Sequence, residues 1–244
     1  MILVLGGTSE ARALAAALVA RGLPVVSSLA GRVARPRLPE GEVRIGGFGG
    51  PDGLAAWIAT HEVAAVVDAT HPFSDQISRN AAQACADRIP LLRLERPGWF
   101  AAPEARGWHW VDSHREAATA TASLGSRPLL TVGRQPLHDF AGPLADTHAV
   151  ARVVDAPTFD PPVIWTLLQS RGPYDVESER SLFAAHDVDV LVTKDSGGSY
   201  TWPKMVVAGE LEVPVVVVRR TPGPAGVETV TEVDAAVSWC GRFA

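Results

Sequence analysis

The stretch MILVLGGTSEAR, residues 1–12, contains an apolar run that stops at two glycines and continues into an alanine-rich segment. The run predicts a buried strand over residues 2–5, and the alanine-rich segment, with Leu14 and Leu18 one turn apart, predicts a helix over 11–20. The two glycines can form a tight turn and let a diphosphate approach the backbone. A strand, a glycine turn and a helix in this order are typical of the start of a nucleotide-binding βαβ unit.

The glycine turn departs from the G-G-T-G-x-x-G form of that fingerprint, because Ser9 and Arg12 occupy its next two glycine positions. Gly6 and Gly7 remain, and Thr8 or Ser9 follows as the helix N-cap. Such a turn offers backbone N–H groups and the positive end of a helix dipole to an anion. Two interpretations stay open here: a cofactor site formed by these five residues, or a plain turn capped by a hydroxyl group.

Short β-branched runs alternate with helical patterns along the rest of the chain. In the first half they predict strands over 24–29, 43–45, 63–69 and 91–94 and helices over 52–60 and 73–87. In the second half they predict strands over 108–111, 129–132, 149–154, 188–193 and 213–218 and helices over 114–124 and 233–240. An alternation of this kind is typical of parallel sheets with helices on both faces.

Residues 95–107 interrupt the alternation with two prolines and two glycines, which mark a connection. We therefore predict an α/β protein with two Rossmann-like domains, each built on a doubly wound parallel sheet. The first domain is predicted at residues 1–100 and the second at 101–244. An edge strand could belong to either sheet, so its assignment stays open.

Composition limits the class of protein. Hydrophobic residues make up 47% of the 244, and the formal net charge is -5. This acidic balance argues against a nucleic-acid partner, and no apolar stretch approaches the roughly 18 residues of a membrane span. We predict a cytoplasmic protein without a membrane partner. The two cysteines, Cys85 and Cys240, stand alone in helical patterns, so no metal site is predicted.

The end of the second predicted strand, SSLAGR at residues 27–32, bears on the choice of cofactor. A cofactor with a free ribose 2′-hydroxyl usually meets an Asp or Glu at this place. The segment instead offers the hydroxyl of Ser28 and the guanidinium of Arg32. These groups suit a 2′-phosphate, which favours NADPH over NADH. The alternative is that Arg32 is a solvated loop residue.

The segment DATHPF, residues 68–73, leaves the fourth predicted strand. Ligands of open α/β sheets bind beyond the carboxyl ends of the strands, so we expect this loop near the glycine turn. Thr70 and His71 are placed to contact a nicotinamide or a substrate. In the alternative interpretation, His71 and Asp68 cap the helix that follows.

Two turns of the second half leave strands in the same manner, TVGR at 131–134 and TKDSGG at 193–198. Cations and hydroxyl groups form charge-assisted hydrogen bonds with carboxylates. Arg134, Lys194 and Ser196 are therefore candidate contacts for an anionic substrate. Arg134 as a helix-capping cation is the alternative.

Lys194 and its neighbour Asp195 form a candidate charge pair for proton transfer. The alternative is that the pair belongs to a surface turn. Lys204 lies further along, where Pro203 just before it could delay the start of the next helix.

Together these motifs resemble the precorrin-6A reductase (cobalt-precorrin-6A reductase) family of cobalamin biosynthesis. Each motif is short, but they run in order over nearly the whole chain. The segments that carry the resemblance are GGTSEAR (6–12), SLAGR (28–32), DATHPF (68–73), ISRNA (77–81), LRLERPGW (92–99), LLTVGRQPL (129–137), TKDSGG (193–198) and PVVVVRR (214–220).

The resemblance implies two Rossmann-like domains facing a cleft, and hydride transfer from NADPH to a ring-D double bond of precorrin-6A, giving precorrin-6B. It also implies a tetrapyrrole substrate rich in carboxylates, for which Arg134, Lys194 and Arg12 are candidate contacts. A proton must reach the neighbouring carbon. His71, the pair of Lys194 and Asp195, or solvent can supply it.

Two other functions stay compatible with these motifs. One is a non-catalytic protein that binds NADP(H) or a tetrapyrrole. The other is an NADP-dependent reductase of a different substrate, which a Tyr-x-x-x-Lys acid of the short-chain reductase type would favour.

Overall fold

The structure is a computed structural model that describes residues 1–31, 34–86 and 88–243. Strands and helices alternate from the first residues onward, as predicted. The elements of the first 94 residues are β1 (Ile2–Leu5), α1 (Ser9–Ala20), β2 (Val25–Leu29), β3 (Glu42–Ile45), α2 (Pro51–Thr60), β4 (Ala65–Asp68), α3 (Asp75–Cys85) and β5 (Leu91–Leu94).

Two short 3-10 helices, Trp99–Ala101 and Pro103–Gly107, occupy the predicted connection. The elements that follow are β6 (His109–Val111), α4 (His114–Leu124), β7 (Pro128–Thr131), α5 (His138–Ala141), β8 (Val150–Val153), β9 (Thr166–Gln169), α6 (Val176–Ala185), β10 (Val190–Lys194), α7 (Pro203–Glu210), β11 (Val215–Val218), β12 (Glu228–Val230) and α8 (Val233–Cys240).

The strands form two six-stranded sheets. One has the order β12-β5-β4-β1-β2-β3 and the other the order β6-β11-β10-β7-β8-β9. Neighbouring strands are parallel in both sheets. The predicted α/β class with two parallel sheets is therefore confirmed.

The chain divides into two compact units, one of Met1–Pro97 with Thr221–Ala244 and one of Gly98–Arg220. The predicted division at residue 100 differs, because it placed the C-terminal segment in the second domain. In the structure β12 pairs with β5, and α8 packs on α1 in the first unit. Periodicity marks a short strand or a helix, but it does not say which open sheet edge the element will cover.

Both faces of the first sheet are covered. Alternate residues of a strand project to opposite faces. Ile2 and Val4 of β1 accordingly pack with α1 and α8, whereas Leu3 and Leu5 pack with α2 and α3. This double coverage explains why β4 is buried along its whole length.

In-register pairing aligns one residue from each of five strands near the carboxyl edge of the first sheet. Arg44 pairs with Ser28, and Ser28 with Leu5. Leu5 pairs in turn with Asp68, and Asp68 with Arg93. Paired residues of parallel strands project from the same face. Four polar side chains therefore share one row next to the glycine turn.

The second sheet is also covered on both faces. Trp99, Phe183 and Met205 pack on the face that carries Leu129 and Leu191. Helix α4 packs against β10 and β11, with buried alanines along one side. Within the described ranges, no helix is both long and apolar enough to cross a membrane.

Candidate functional site

The glycine turn after β1 has room for a ligand. Gly7 has a φ of +121°, which favours glycine, and a Cβ added there would meet no atom within 4 Å. At Gly6 an added Cβ would make ordinary contacts, 3.5 Å from Ala11 and Leu29. The Gly6 N–H donates to the Ser28 carbonyl at 2.9 Å and ties the turn to β2. The open space at Gly7 fits the close backbone approach that a diphosphate requires.

Thr8, rather than Ser9, is the N-cap of α1. Its Oγ1 accepts from the Ala11 N–H at 3.0 Å and donates to the Ala69 carbonyl at 2.8 Å, which joins the loops after β1 and β4. The N–H groups of Thr8, Ser9 and Glu10 have no acceptor within the helix because of their position. With the helix dipole, they form a candidate site for a phosphate group.

Glu10 places a carboxylate in the first turn of α1, where a bound phosphate would also lie. Its Oε2 accepts from Arg96 Nη1 at 2.8 Å and from Ser9 Oγ at 3.0 Å. Burial alone would raise the pKa of Glu10, but Arg96 and the hydrogen bonds outweigh burial and lower it. Arg96 thereby offsets the charge of Glu10. Arg12, the fourth residue of the helix, is partly exposed.

A cation of β3 lies beside the end of β2, and the sequence analysis did not single it out. Ser28 is buried, and its Oγ accepts from Arg44 Nη1 on β3 at 3.1 Å. Arg32, the cation predicted for this place, lies outside the described residues. Arg44 was missed because nothing in the four-residue strand EVRI separates a site residue from a surface charge.

Asp68 fixes the loop after β4. Its Oδ1 accepts from the Thr70 N–H at 3.1 Å and from the Thr70 hydroxyl at 2.6 Å. Its Oδ2 pairs with Arg93 Nη1 at 2.8 Å, and that nitrogen also donates to Ser78 Oγ at 2.7 Å. Arg93 forms a second ion pair with Glu95. A buried ion pair therefore holds Thr70 in place.

His71 follows this network and is partly exposed. Its Nδ1 accepts from the Phe73 N–H at 3.2 Å, so the neutral ring carries its proton on Nε2. Helix α3 begins at Asp75 with Ser74 as its N-cap, two residues later than predicted. The alternative that His71 and Asp68 cap this helix is therefore wrong.

In the second unit, Lys194 is the last residue of β10 and its amine is largely buried. Its Nζ lies 3.8 Å from the position that a Cβ on Gly133 would take, so the turns after β10 and β7 approach each other there. Burial lowers the pKa of Lys194 to about 8. Burial and the nearby charge of Lys194 lower the pKa of His114 to about 4. Lys194 can therefore exchange a proton near neutral pH beside an uncharged histidine.

Asp195 has partners other than Lys194. Its Oδ1 accepts from the Trp99 N–H at 2.8 Å, and its Oδ2 lies 3.4 Å from Arg220 Nε. A side chain at Gly98 would collide with this carboxylate. Lys194 ends β10, whereas Asp195 lies just beyond the strand, in contact with Trp99 and Arg220. We therefore treat them below as two separate groups.

The other two predicted substrate contacts lie in the same two turns of the second unit. The Ser196 N–H donates to the Lys194 carbonyl at 2.6 Å. Arg134 Nη1 donates to the Ala156 carbonyl at 3.4 Å, and both side chains are partly exposed. Lys194 and Ser196 therefore share one turn, while Arg134 follows the glycine that approaches Lys194.

A buried charge cluster in the second unit was not predicted. Arg152 Nη1 pairs with Glu179 Oε1 at 2.7 Å, and both side chains are buried. Lys204 Nζ donates to the Thr201 carbonyl at 2.8 Å. Burial and the charge of Arg152 lower the pKa of Lys204 to about 7, although Glu179 opposes this shift. The partners are far apart in sequence, so no local motif signals the cluster.

Tyr200 and Lys204 have the Tyr-x-x-x-Lys spacing, within the segment YTWPK. Helix α7 begins at Pro203, so Tyr200 lies in the preceding turn. The tyrosine is 45% exposed, whereas Lys204 is 2% exposed. The two residues therefore do not form an acid pair on one helix face, and the spacing gives no support to a short-chain type of reductase.

Comparison with protein families matches residues 1–241 to the family model described as precorrin-6x reductase CbiJ/CobK. The chain belongs to this precorrin-6x reductase family. The resemblance stated from the motifs is confirmed, and the protein is an oxidoreductase of a cobalamin-biosynthesis family. Among the described residues of the chain, no group of three or more His, Cys, Asp or Glu side chains is arranged to hold a metal ion.

Individual relatives agree with the family over nearly the full length of the chain. The chain is 50% identical over 244 residues to precorrin-6A reductase of Rhodococcus erythropolis, covering 99% of this chain and 98% of the relative. It is 44% identical over 241 residues to precorrin-6A reductase of Mycobacterium tuberculosis (strain ATCC 25618 / H37Rv), covering 98% and 96%. A solved structure of CobK precorrin-6A reductase matches with a TM-score of 0.90 at 34% identity, covering 100% of this chain and 96% of the other.

Proposed function

We propose that this protein reduces a ring-D double bond of precorrin-6A with NADPH, giving precorrin-6B. The observation that carries the proposal is the match to a reductase family over residues 1–241. Relatives that are 50% and 44% identical along almost the whole chain bear the name precorrin-6A reductase. The side chains in the turns after β1, β2 and β4 of the first unit, and in those after β7 and β10 of the second, are compatible with this reaction.

The start of α1 is the proposed binding site for the diphosphate of NADPH. When bound, NADPH supplies the hydride, so the protein has to hold and orient it. Gly6 and Gly7 give the backbone approach, and Thr8 and Ser9 contribute N–H groups at the helix N-terminus. The open space at Gly7 and the offset charge of Glu10 support this assignment. The remaining proposed contact near the phosphates is Arg12.

Selection of NADPH over NADH is proposed at the end of β2. Ser28 and Arg32 stand in the segment where NAD-dependent enzymes carry an acidic residue for the ribose 2′-hydroxyl. A carboxylate there would repel a 2′-phosphate, whereas a hydroxyl and a guanidinium can bind it. Thr70, which Asp68 holds in place, is the proposed contact in the loop after β4.

Lys194 is the proposed donor of the proton that accompanies the hydride. Its Nζ–H bond breaks, the proton goes to the neighbouring carbon of the ring, and a neutral amine remains. A general acid works best when its pKa lies near the working pH, and the pKa of Lys194 is about 8. Asp195 is proposed to position the turn, because Trp99 and Arg220 occupy its oxygens. His71 is the second candidate donor: its imidazolium form gives up a proton and returns to the neutral ring.

Arg134, Lys194 and Ser196 are the proposed contacts for the carboxylates of the tetrapyrrole. Arg134 can bind a carboxylate with two parallel hydrogen bonds, and the hydroxyl of Ser196 can donate a third hydrogen bond. The turns that carry these residues approach each other where Lys194 meets Gly133. A carboxylate bound there would also favour the charged form of Lys194.

Anaerobic turnover tests the proposal. Purified protein is mixed with precorrin-6A and NADPH, and the loss of nicotinamide absorbance is followed with the spectrum of the macrocycle. We expect one NADPH to be oxidised per macrocycle and a rate at least about tenfold lower with an equal concentration of NADH. The variant Lys194→Met should bind NADPH normally and turn over slowly. Arg115→Met, which removes an exposed charge from α4, is the matched control.

The alternatives give different results in the same experiment. A non-catalytic binder would bind NADPH or the macrocycle without loss of nicotinamide absorbance. A reductase of another substrate would oxidise NADPH only when that substrate replaced precorrin-6A. Either result would contradict the proposal.

A further inference from the structure

Arg44 occupies an unusual position at the carboxyl edge of the first sheet. It lies on β3 in register with Ser28 of β2, and its Nη1 donates to Ser28 Oγ at 3.1 Å. In dinucleotide-binding sheets, the end of β2 is the place where the adenosine ribose is recognised. The guanidinium of Arg44 is therefore at the part of the sheet that distinguishes NADPH from NADH.

The guanidinium is held in one orientation before any ligand arrives. Nη1 donates to the Gly46 carbonyl and Nη2 to the Gly47 carbonyl, both at 2.6 Å. The ring of Phe48 supports one face of the group, with 3.7 Å between Arg44 Cζ and the ring centroid. An arginine fixed in this way loses little conformational freedom when it binds an anion.

The charge of Arg44 has no carboxylate partner in the described part of the chain. Its acceptors there are one hydroxyl and two carbonyls, which are neutral groups. Other buried arginines of the same sheet edge and of the second unit, Arg93 and Arg152, each pair with a carboxylate. A partly buried cation without a counter-charge attracts an anionic ligand.

Arg44 also has hydrogen-bond donors to offer. A guanidinium carries five N–H groups. Three of them are engaged by described residues, namely by Ser28, Gly46 and Gly47. No described residue accepts from the other two donors of this planar cation, and two is the number that a bidentate arginine–phosphate contact uses.

We infer that Arg44 binds the 2′-phosphate of NADPH and selects this cofactor over NADH. The inference rests on the proposed use of NADPH. It adds to Arg32 a second cation, which belongs to β3 and which the sequence analysis did not single out. The competing explanation is structural, since the two carbonyl contacts also fasten the glycine-rich turn between β3 and α2.

Binding measurements on the intact protein separate the two explanations. Isothermal titration with 2′,5′-ADP and with 5′-AMP reports the contribution of the 2′-phosphate without any turnover. In Arg44→Met, which keeps the apolar stem next to Phe48, we expect 2′,5′-ADP to bind about 10- to 100-fold more weakly and 5′-AMP to change by less than about twofold. Arg44→Lys should fall in between, because it keeps the charge but not the fork.

Each result has a defined meaning. Arg115→Met removes the same charge from an exposed position in the second unit and should change neither affinity. If wild type prefers 2′,5′-ADP and Arg44→Met keeps that preference, the inference about Arg44 is overturned while the proposed use of NADPH stands. If Arg44→Met weakens both ligands equally, the structural explanation is correct and the inference falls. If wild type itself shows no preference, both the NADPH proposal and the role of Arg44 are overturned.

Discussion

Replacing Asp68 by asparagine removes one charge from the network below the glycine turn and keeps the shape of the side chain. The Oδ1 of the new amide can still accept both hydrogen bonds from Thr70, which are 3.1 and 2.6 Å long in the wild-type protein. Its nitrogen then faces Arg93 Nη1, where a carboxylate oxygen had paired at 2.8 Å. Asp68→Asn therefore tests the ion pair separately from the loop contacts.

The expected loss in free energy of unfolding depends on the contacts that Arg93 retains in Asp68→Asn. Removing one partner of a buried ion pair costs about 3–5 kcal/mol, because the other charge stays in a medium of low dielectric constant. Arg93 retains Glu95 and Ser78, so we expect the lower end, about 3 kcal/mol. For a chain of this length, 1 kcal/mol lowers Tm by about 2–4 °C, so Asp68→Asn should melt about 6–12 °C lower.

Calorimetry on four proteins tests this value: wild type, Asp68→Asn, Arg93→Met and the double variant. In the double variant Asp68→Asn no longer leaves the charge of Arg93 without its partner, because Arg93 is also replaced. Its destabilisation should therefore be smaller than the sum of the single effects by about 1–3 kcal/mol. If Asp68→Asn stays within about 1 kcal/mol of wild type and shows no coupling to Arg93→Met, the ion pair does not fix the loop.

Three further predictions concern the helix cap and the two buried lysines. Thr8→Ala loses its bonds to Ala11 and Ala69, so calorimetry should show a loss of about 1–2 kcal/mol and titration a weaker affinity for NADPH. Lys194 loses its proton above a pKa of about 8, so kcat should fall as pH rises through that value. Lys194→Met should show no such fall and a kcat up to about 100-fold lower; a wild-type kcat that stays flat to pH 10 would contradict Lys194 as the donor. The pKa of Lys204 is about 7 in the folded protein and ordinarily 10.5, so the unfolded chain binds more protons between these values and the free energy of unfolding should rise with pH there. Denaturant titration of Lys204→Met at several pH values should show a smaller rise, and an unchanged slope would contradict this lysine as its source.

Elements with a strong local pattern could be predicted from the sequence. The bounds of β1, β5, α4 and α8 agree with the predicted ranges. The strands β9 and β12 were missed because they are short edge strands whose residues are mostly exposed, so their composition resembles that of a loop. Helix α6 was missed because its sequence, VESERSLFAA, has few apolar positions to form a periodic face.

The candidate site could be predicted in part for a similar reason. Turns that follow apolar runs are visible locally, so the segments around Gly7, Thr70 and Lys194 could be singled out as candidates. The partners of buried charges were not, because Asp68 meets Arg93 across 25 positions of the chain and the pairing depends on strand order. The partners of Asp195 could not be predicted either, because Trp99 and Arg220 are distant in sequence.

The return of residues 228–240 to the first sheet has a consequence for synthesis. The second unit is continuous in sequence, so it can fold as soon as it has left the ribosome, whereas the first unit is assembled from both ends of the chain. Before β12 is made, β5 is an open edge of the first sheet. Before α8 is made, the apolar side of α1 is not covered by Ala236 and Val237. During translation this half is therefore an unfinished sheet with an open edge on which a foreign strand can pair.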